Sequence, residues 1–200
     1  MSSASPSVSA FTGHIAGVGT TSGTRVVVGL WDVTPLGPVA DAMVEDPDGH
    51  RTLVAPTAEL AEFVAATYVF DEVVVEPVQR DGWSLVSPSL SISLVPGRRR
   101  AVGALLRAVP APLRRSVTWA RLTDPVARVA MPGVRTVGTA GGGRTEWYAA
   151  RDAWLVDAVS ATWRGTDLGT LAPVEPAVRF GFGSAPRTPT LTSLTSYVRA

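Results

Sequence analysis

The side chains that could carry acid–base chemistry are two histidines and a few carboxylates. His14 and His50 are the only histidines of the chain. A general base needs just one of them beside a nucleophile and an orienting acid. The pattern Gly-x-Ser-x-Gly, which marks the nucleophile of one large class of serine hydrolases, does not occur in the sequence. The histidines are therefore candidate bases without an identified nucleophile.

Two carboxylates lie on either side of an aromatic pair. Glu146 and Asp152 flank Trp147-Tyr148, and an apolar wall raises the pKa of a carboxyl group because it penalises the charged form. Either residue is thus a candidate acid or base. The alternative is that Glu146 alternates with Trp147 along a strand and faces solvent, or pairs with Arg144. Because perturbed carboxylates are uncommon outside functional sites, we expect this second arrangement.

The aromatic residues between positions 139 and 163 suggest a different function. Three of the six tryptophans fall in this stretch, and pockets for small ligands have mostly apolar walls with a few placed polar groups. We predict a non-catalytic module that encloses a small, mostly apolar ligand whose anionic end is held by arginine. The residues assigned to ligand binding are Arg144, Trp147, Tyr148, Arg151, Trp154 and Trp163.

Charge is distributed unevenly along the chain. Residues 1–97 contain three arginines and eleven acidic residues, whereas residues 98–135 contain nine arginines and one acidic residue. The basic segment could bind an anionic partner: a phosphate, a nucleic acid, an acidic protein or a membrane surface. The alternative is that it pairs with the acidic first half. The helical pattern favours an exposed anion-binding face, to which we assign Arg98, Arg99, Arg100, Arg107, Arg114 and Arg115.

Missing residue types exclude several classes of chemistry. The chain has no cysteine and no lysine. It therefore has no disulfide, cysteine nucleophile or thiolate zinc site, and no amine for a Schiff base with a carbonyl substrate or pyridoxal phosphate. Two histidines without a local third ligand make a weak metal site. We predict no metal and no cofactor.

The elements that must position these residues are mostly strands. Residues 11–32 form a predicted hairpin, residues 39–45 pair with residues 50–54 in a second, and residues 139–163 form a Trp-rich third. Short links of this kind exclude successive parallel βαβ units. The fold class is therefore α+β, a single domain over residues 11–200 whose mostly antiparallel sheet is bent or barrel-like. Further strands are predicted at 68–78, 82–86, 89–95, 178–182 and, at an edge or at the surface, 191–198.

Two to four short helices should cover this sheet. Thr57 is a good N-cap for a helix over residues 58–66. In residues 101–109 the apolar positions follow the i, i+3, i+4, i+7 rule. Pro112 and Pro125 are expected to begin two further helices, ending near residue 131. The apolar side chains expected to face the core from the second helix are Val102, Leu105, Leu106 and Val109.

One family resemblance concerns residues 140 to 198. The pattern of Glu146-Trp147-Tyr148, Trp163-Arg164-Gly165 and a final threonine-rich strand resembles the late region of acetoacetate-decarboxylase-like β-cone proteins. The resemblance implies a β-rich cone or barrel with an internal cavity. It implies no catalytic residue, since the catalytic lysine of that family cannot be present in a chain without lysine.

The termini and hydropathy bear on localisation. Residues 1–10 lack both a positive start and an apolar core, so we predict a disordered tail rather than a signal peptide. No run of eighteen uncharged apolar residues occurs in the sequence, which argues against a membrane-spanning helix. We expect a cytoplasmic protein whose oligomeric state the sequence leaves open.

Overall fold

Thirteen strands and four helices make up the part of the chain that the computed structural model describes, residues 8–114, 116–130, 134–139, 141–181, 183 and 185–199. The strands are β1 Val8–Thr20, β2 Arg25–Val33, β3 Val39–Glu45, β4 Arg51–Ala55, β5 Glu72–Val75, β6 Gln79–Asp81, β7 Ser84–Val86, β8 Leu90–Arg99, β9 Val137–Thr139, β10 Thr145–Trp163, β11 Thr166–Asp167, β12 Leu171–Ala172 and β13 Thr190–Arg199. The helices are α1 Ala58–Ala65, α2 Ala101–Ala108, α3 Ala111–Arg114 and α4 Val117–Ala130. None of the helices in this part of the chain is both long and apolar enough to cross a membrane.

The first two hairpins and the first helix form as local sequence predicts. β1 pairs with β2, and β3 pairs with β4, both in antiparallel register. Each hairpin turns through a glycine with positive φ, Gly23 at 88° and Gly49 at 90°, a conformation that side chains with a Cβ rarely adopt. Thr57 caps α1 by accepting a hydrogen bond from the Leu60 amide at 3.3 Å.

The described strands belong to one sheet. Its order is β5-β4-β3-β2-β1-β13-β10-β8-β7-β6, with β9 and β11 beside β10 and β12 beside β1. All pairs are antiparallel except β4 with β5, which are joined through α1. The α+β class with a mostly antiparallel sheet is thus confirmed. The sequence argument excluded parallel strands that are joined by short links. It did not apply to β4 and β5, because the link between them, residues 56–71, is long enough to hold a crossover helix.

The sheet bends so that strands from both ends of its order share one core. Val44 of β3 and Val54 of β4 lie in the same buried cluster as Leu85 of β7 and Ile92 of β8. We call the side of the sheet that faces this cluster the packed face. On the central strands the packed face carries Ala16, Val18, Val26, Val28, Leu30 and Leu191.

The opposite side, which we call the cavity face, is covered by helices and a loop. α1 buries Leu60 and Val64 against a cluster that contains Phe11 and Trp31. Further along the sheet, the loop at residues 173–187 packs Val174, Val178 and Phe180 over Val27 and Met43. The loop is not a strand over the described residues 178–181, so the predicted strand there is wrong. The side chains of Val174, Val178 and Phe180 pack on the sheet, and the described residues 178–181 do not extend it.

The stretch with three tryptophans is one strand and not a hairpin. β10 runs without a turn through its 19 residues, and its register shifts near Ala150–Asp152 and again around Val156. Such irregularities bend a strand without reversing it. The glycines that suggested hairpin turns stand at its two ends, in the 3₁₀ turn Gly141–Gly143 and at Gly165.

Other elements also differ from expectation because tertiary contacts decide them. β13, predicted at an edge or at the surface, lies between β1 and β10. Pro125 lies inside α4 and does not begin a helix. Leu105 is 67 % exposed and does not face the core. Val8 already pairs with Arg199 in the sheet, so the predicted tail is too long by three residues, and residues 1–7 lie outside the described part.

Candidate functional site

The cavity face encloses a cavity of about 180 Å³ between the sheet and its cover. Its floor is built from alternate residues of five adjacent strands, β3, β2, β1, β13 and β10, because side chains two apart in a strand point to the same side. For comparison, an engineered apolar cavity of about 150 Å³ holds a molecule of benzene. The floor residues are Met43, Val27, Ile15, Gly17, Thr190, Thr192, Leu194, Tyr148, Ala150 and Ala153.

The cover is made of α2 and the loop at residues 173–187. Val102 and Leu106 of α2 and Val178 and Phe180 of the loop line the cavity. α2 approaches β10 closely, because a Cβ at Gly103 would lie 2.5 Å from the carbonyl oxygen of Ala153. Only glycine permits this approach.

The loop is anchored by a fully buried carboxylate. Glu45 at the end of β3 accepts hydrogen bonds from the backbone N–H of Arg179 at 2.8 Å and from its Nε at 3.1 Å. Arg25 lies 2.9 Å from the same carboxylate. Since a buried carboxylate must be paired to be tolerated, these contacts fix the loop over the cavity.

One end of the cavity is closed by a hydrogen-bonded cluster of two tyrosines, a glutamate and a serine. The Tyr68 hydroxyl donates to Glu146 Oε2 at 2.7 Å and lies 2.5 Å from the Tyr148 hydroxyl. Ser196 donates to Glu146 Oε1 at 2.6 Å. Both tyrosines line the cavity. We call these four residues the inner cluster.

Burial sets the acidity of the inner cluster. The pKa of Glu146 is raised because desolvation penalises its charged form, while hydrogen bonds from Ser196, Tyr68 and Tyr148 oppose the shift. The pKa values of Tyr68 and Tyr148 lie well above the ordinary tyrosine value, first through burial and then through the charge of Glu146. The tyrosines are therefore neutral hydrogen-bond donors over the working range of most proteins.

A cation lines another part of the cavity wall. Arg135, between α4 and β9, is a cavity residue, and its buried Nε has no hydrogen-bond partner among the described residues. Asp124 Oδ1 lies 3.5 Å from this Nε and accepts hydrogen bonds from the amides of Thr136 and Val137, at 2.8 and 3.2 Å. Arg135 therefore lies beside a carboxylate that is shared with Thr136 and Val137, and its Nη2 donates to the carbonyl oxygen of Val137 at 3.5 Å.

A smaller pocket adjoins the inner cluster on the side of α1. It measures about 50 Å³ and is lined by Glu146, Tyr68 and Asp41, among others. Asp41 accepts a hydrogen bond from Trp31 Nε1 at 2.8 Å, and burial raises its pKa to about 6. The bond passes over Gly29, where a Cβ would lie 2.5 Å from Asp41 Oδ1.

Most of the residues predicted to bind the ligand lie away from the cavity. Of the six, Tyr148 alone is among the described residues that line the cavity. Trp163 lies in the core on the packed face. The guanidinium groups of Arg121 and Arg199 lie over the ring of Trp147. The guanidinium group of Arg99 lies over the ring of Trp154.

The two predicted ligand arginines contact backbone oxygens. Arg144 donates to the carbonyl oxygen of Phe63 at 3.0 Å, and Arg151 donates to that of Leu194 at 3.0 Å. These contacts hold α1 and β13 in place. The cation on the cavity wall is Arg135, which lies in the basic segment but was not among the predicted binding residues.

The candidate acids and bases do not lie together in one site. Glu146 is 2 % exposed, so the expectation that it faces solvent or pairs with Arg144 is wrong. Asp152 is buried beside Arg99 at 3.0 Å. His14 packs its ring edge-on against Trp83, and burial lowers its pKa. His50 lies 3.3 Å from Glu72. No group of three or more histidine or acidic side chains within the described residues could hold a metal ion.

The predicted anion-binding arginines are partly engaged within the protein. Arg99 pairs with Asp152, and Arg107 lies 3.8 Å from it. Arg100 donates to Thr190 Oγ1 at 2.7 Å. Arg98 is exposed. The side chain of Arg114 and the whole of Arg115 lie outside the described part. Anion binding by this surface stays a prediction.

Comparison of the chain with models of known families, with curated proteins and with solved structures finds no match. The resemblance to acetoacetate-decarboxylase-like proteins therefore gains no support from them. The described sheet is bent but open, with β5 and β6 at the ends of its order.

Three residues of the site were missed by sequence reasoning: Tyr68, Arg135 and Ser196. Tyr68 and Ser196 sit in predicted strands and carry no motif. Arg135 was counted only as one charge in the basic segment. The single available signal was the pairing of Glu146 with Tyr148 at i, i+2, which places both on one side of a strand.

Proposed function

We propose that the protein binds a small, mostly apolar carboxylic acid in the cavity between the sheet and its cover. The observation that carries the proposal is the combination of an apolar wall with one arginine, Arg135, whose buried Nε has no hydrogen-bond partner among the described residues. An arginine recognises a carboxylate through charge-assisted hydrogen bonds. The apolar body of the acid would lie against Val27, Val102 and Leu106.

The acid–base alternative narrows to one of the four candidate residues, Glu146. Glu146 reaches the cavity through Tyr68 and Tyr148, whereas Asp152 pairs with Arg99 and does not line the cavity within the described residues. Neither histidine lines it. A base for a bound substrate would therefore be Glu146 acting through a tyrosine, and binding remains the function that the contacts support best.

The experiment is isothermal titration calorimetry with hexanoate, cyclohexanecarboxylate and benzoate, each compared with its neutral amide. We expect the acids to bind and the amides to bind at least tenfold more weakly, since a hydrogen bond to a charged group contributes about 1.5–3 kcal/mol. Arg135→Gln should remove the preference for the acid. Arg98→Gln, which alters an exposed arginine, should leave it intact.

A pair of cavity variants tests where the acid lies. Ala150→Leu adds volume on the cavity wall, while Ala158→Leu makes the same change at an exposed position of the same strand. Only Ala150→Leu should abolish binding, with both variants still folded by circular dichroism. Failure of all three acids to bind at millimolar concentration, or equal binding of acids and amides, would contradict the proposed function.

A further inference from the structure

The three helices that follow β8 each expose a leucine to solvent. Over the described residues, the exposed leucines are Leu105 of α2, Leu113 of α3 and Leu122 of α4, at 67, 42 and 61 % exposure. The other large hydrophobic side chains exposed in this part of the chain are valines outside the helices. A single exposed leucine needs no explanation, but one on each of three consecutive helices marks a surface that can meet an apolar partner.

These leucines lie on the outer side of the helices, because the inner side of each helix packs on β10. Leu105 comes two residues after Gly103, which lies against the backbone of Ala153. Leu122 comes two residues after Ala120, which is completely buried. Two residues turn an α-helix by about 200°. Both leucines are therefore on the side of their helix that faces away from the sheet.

Arginines accompany the leucines. Residues 98–135 contain nine of the eighteen arginines of the chain, and the one acidic residue among them, Asp124, is buried. Arg107 lies 3.8 Å from Asp152 and Arg121 lies over the ring of Trp147, yet both remain exposed. Besides Arg99, which pairs with Asp152, the exposed arginines in the described part of this segment are Arg98, Arg107 and Arg121.

We call these three arginines and the three leucines the basic leucine surface. Its two kinds of side chain match the two layers of a phospholipid surface. Arginine forms charge-assisted hydrogen bonds with headgroup phosphates, while a leucine on an interfacial helix enters the boundary of the acyl chains. A nucleic acid would attract the arginines by charge but would offer the leucines only a charged and hydrated backbone. The combination therefore favours lipid.

We propose that the basic leucine surface docks on an anionic membrane, with its leucines among the acyl chains and its arginines at the phosphates. The helices then lie along the membrane surface. Because α2 also lines the cavity with Val102 and Leu106, docking brings the cover of the cavity to the lipid. The proposal uses no side chain of the cavity wall, so it can fail while the proposed function stands, and the reverse.

The first experiment is co-sedimentation with vesicles of phosphatidylcholine, either pure or with about one third phosphatidylserine. At low salt we expect binding to the anionic vesicles to be about tenfold or more tighter, and to weaken as salt is raised. The double variant Leu105→Gln, Leu122→Gln should bind the anionic vesicles about tenfold or more weakly. The matched control is Val73→Gln, Val86→Gln, which alters apolar side chains at 45 and 49 % exposure on β5 and β7 and should bind like wild type.

A second pair of variants tests the arginines at constant net charge. Arg107→Gln with Arg121→Gln should weaken binding to the anionic vesicles about fivefold or more. Arg80→Gln with Arg164→Gln removes the same charge from residues that pair with Asp32 and Glu72, and should keep at least half of the affinity. Circular dichroism and thermal unfolding establish that each variant is folded.

The absence of cysteine from the chain allows a direct test of insertion. Leu122→Cys, labelled with a fluorophore sensitive to polarity, should shift its emission to the blue on anionic vesicles. The same label on Val86→Cys should show no shift. This readout separates leucines placed among acyl chains from a protein that is held by charge alone.

The proposal is overturned if anionic vesicles are bound no better than neutral ones, or if the label at position 122 stays in water on vesicles that bind the protein. It is also overturned if the folded leucine variant binds like wild type. Tight binding of a DNA duplex that the leucine substitutions leave unchanged would identify a nucleic-acid partner instead. Should the leucine variant fail to fold, the label at position 122 decides.

Discussion

Along β1, Ala16 and Val18 are completely buried on the packed face, whereas Ile15 and Gly17 beside them border the cavity. The same alternation continues through β2 and β3. One side of these strands is buried in a hydrophobic cluster, and the other side keeps an unfilled volume under α2 and the loop. Both sides are hydrophobic, so composition alone does not distinguish them.

The buried polar groups are less sharply divided between the two faces. Glu146 and Asp41, both with a raised pKa, line the pockets of the cavity face. The packed face buries a polar side chain as well, since Thr52 lies two residues before Val54 of its cluster and is also buried. What distinguishes the cavity face is therefore its unfilled volume and its two carboxylates, whose charged forms are costly to bury.

The largest expected effect comes from truncating one side chain on each face. Leu30→Ala opens a cavity in a completely buried position and should lower the free energy of unfolding by about 2–5 kcal/mol. Met43→Ala, at the cavity wall, should cost less than half as much, because the lost contacts border existing space. Urea unfolding with unchanged m-values measures both. Equal losses would mean that the two faces are packed alike.

A second prediction concerns the pH dependence contributed by Asp41. Its pKa in the folded protein is about 6, against 3.8 for an ordinary aspartate. The folded state therefore binds the proton more tightly, so stability is full below pH 3.8 and is lost as pH rises through 6. The loss should reach about 3 kcal/mol, from about 1.4 kcal/mol per pKa unit.

Asp41→Asn should remove this loss while keeping an acceptor for Trp31. The difference in unfolding free energy between variant and wild type, measured from pH 4 to 8, should grow in favour of the variant. Asp71→Asn provides the opposite sign, because hydrogen bonds from Arg51 hold the pKa of Asp71 below its usual value. That variant should lose stability relative to wild type at neutral pH. A flat difference for Asp41→Asn would contradict the assigned burial.

The smallest expected effect is at the contact between the cover and the sheet. Replacing a helical glycine with alanine usually stabilises a helix by about 0.5–1 kcal/mol. In Gly103→Ala the new Cβ would meet the Ala153 backbone at about 2.5 Å, so we expect a net loss of about 1–3 kcal/mol and weaker binding of the acid. Ala104→Gly, at the adjacent exposed position, should cost about 1 kcal/mol and leave binding unchanged. Thermal unfolding and calorimetry on both variants test this, and stabilisation by Gly103→Ala would show that α2 does not lie against β10.

Local sequence patterns correctly predicted those elements in which the interacting residues are close to each other in the chain. The hairpins β1–β2 and β3–β4 and the helix capped by Thr57 depend on turn glycines and a capping hydroxyl within a few residues. Alternation also predicted β8 correctly, with Leu90, Ile92 and Leu94 buried and the serines between them exposed. In these cases one short stretch contains both the signal and the partner.

Prediction failed where the partner is far away in the chain. β13 is rich in serine and threonine, which suggested an edge or the surface, yet it is central because β1 and β10 pair with its two sides. Glu146 looked like a surface residue because its partners, Tyr68 and Ser196, lie 78 and 50 residues away. A pattern of neighbours carries no information about such contacts.

The sequence by itself determined the chemical repertoire and the fold class of this protein. It excluded cysteine and lysine chemistry, and its short links and alternating patterns indicated a mostly antiparallel sheet with a few helices. The tertiary structure alone decided which side of the sheet forms the packed core and which side borders the cavity. It also decided which acid becomes buried, and that the arginine lining the cavity is Arg135 rather than Arg144 or Arg151 of the Trp-rich stretch. The physical reason is that the burial of a side chain and its hydrogen-bond partners depend on which strands pair in the sheet. These strands are far apart in the chain, so the residue pattern of one short stretch does not reveal which of them pair.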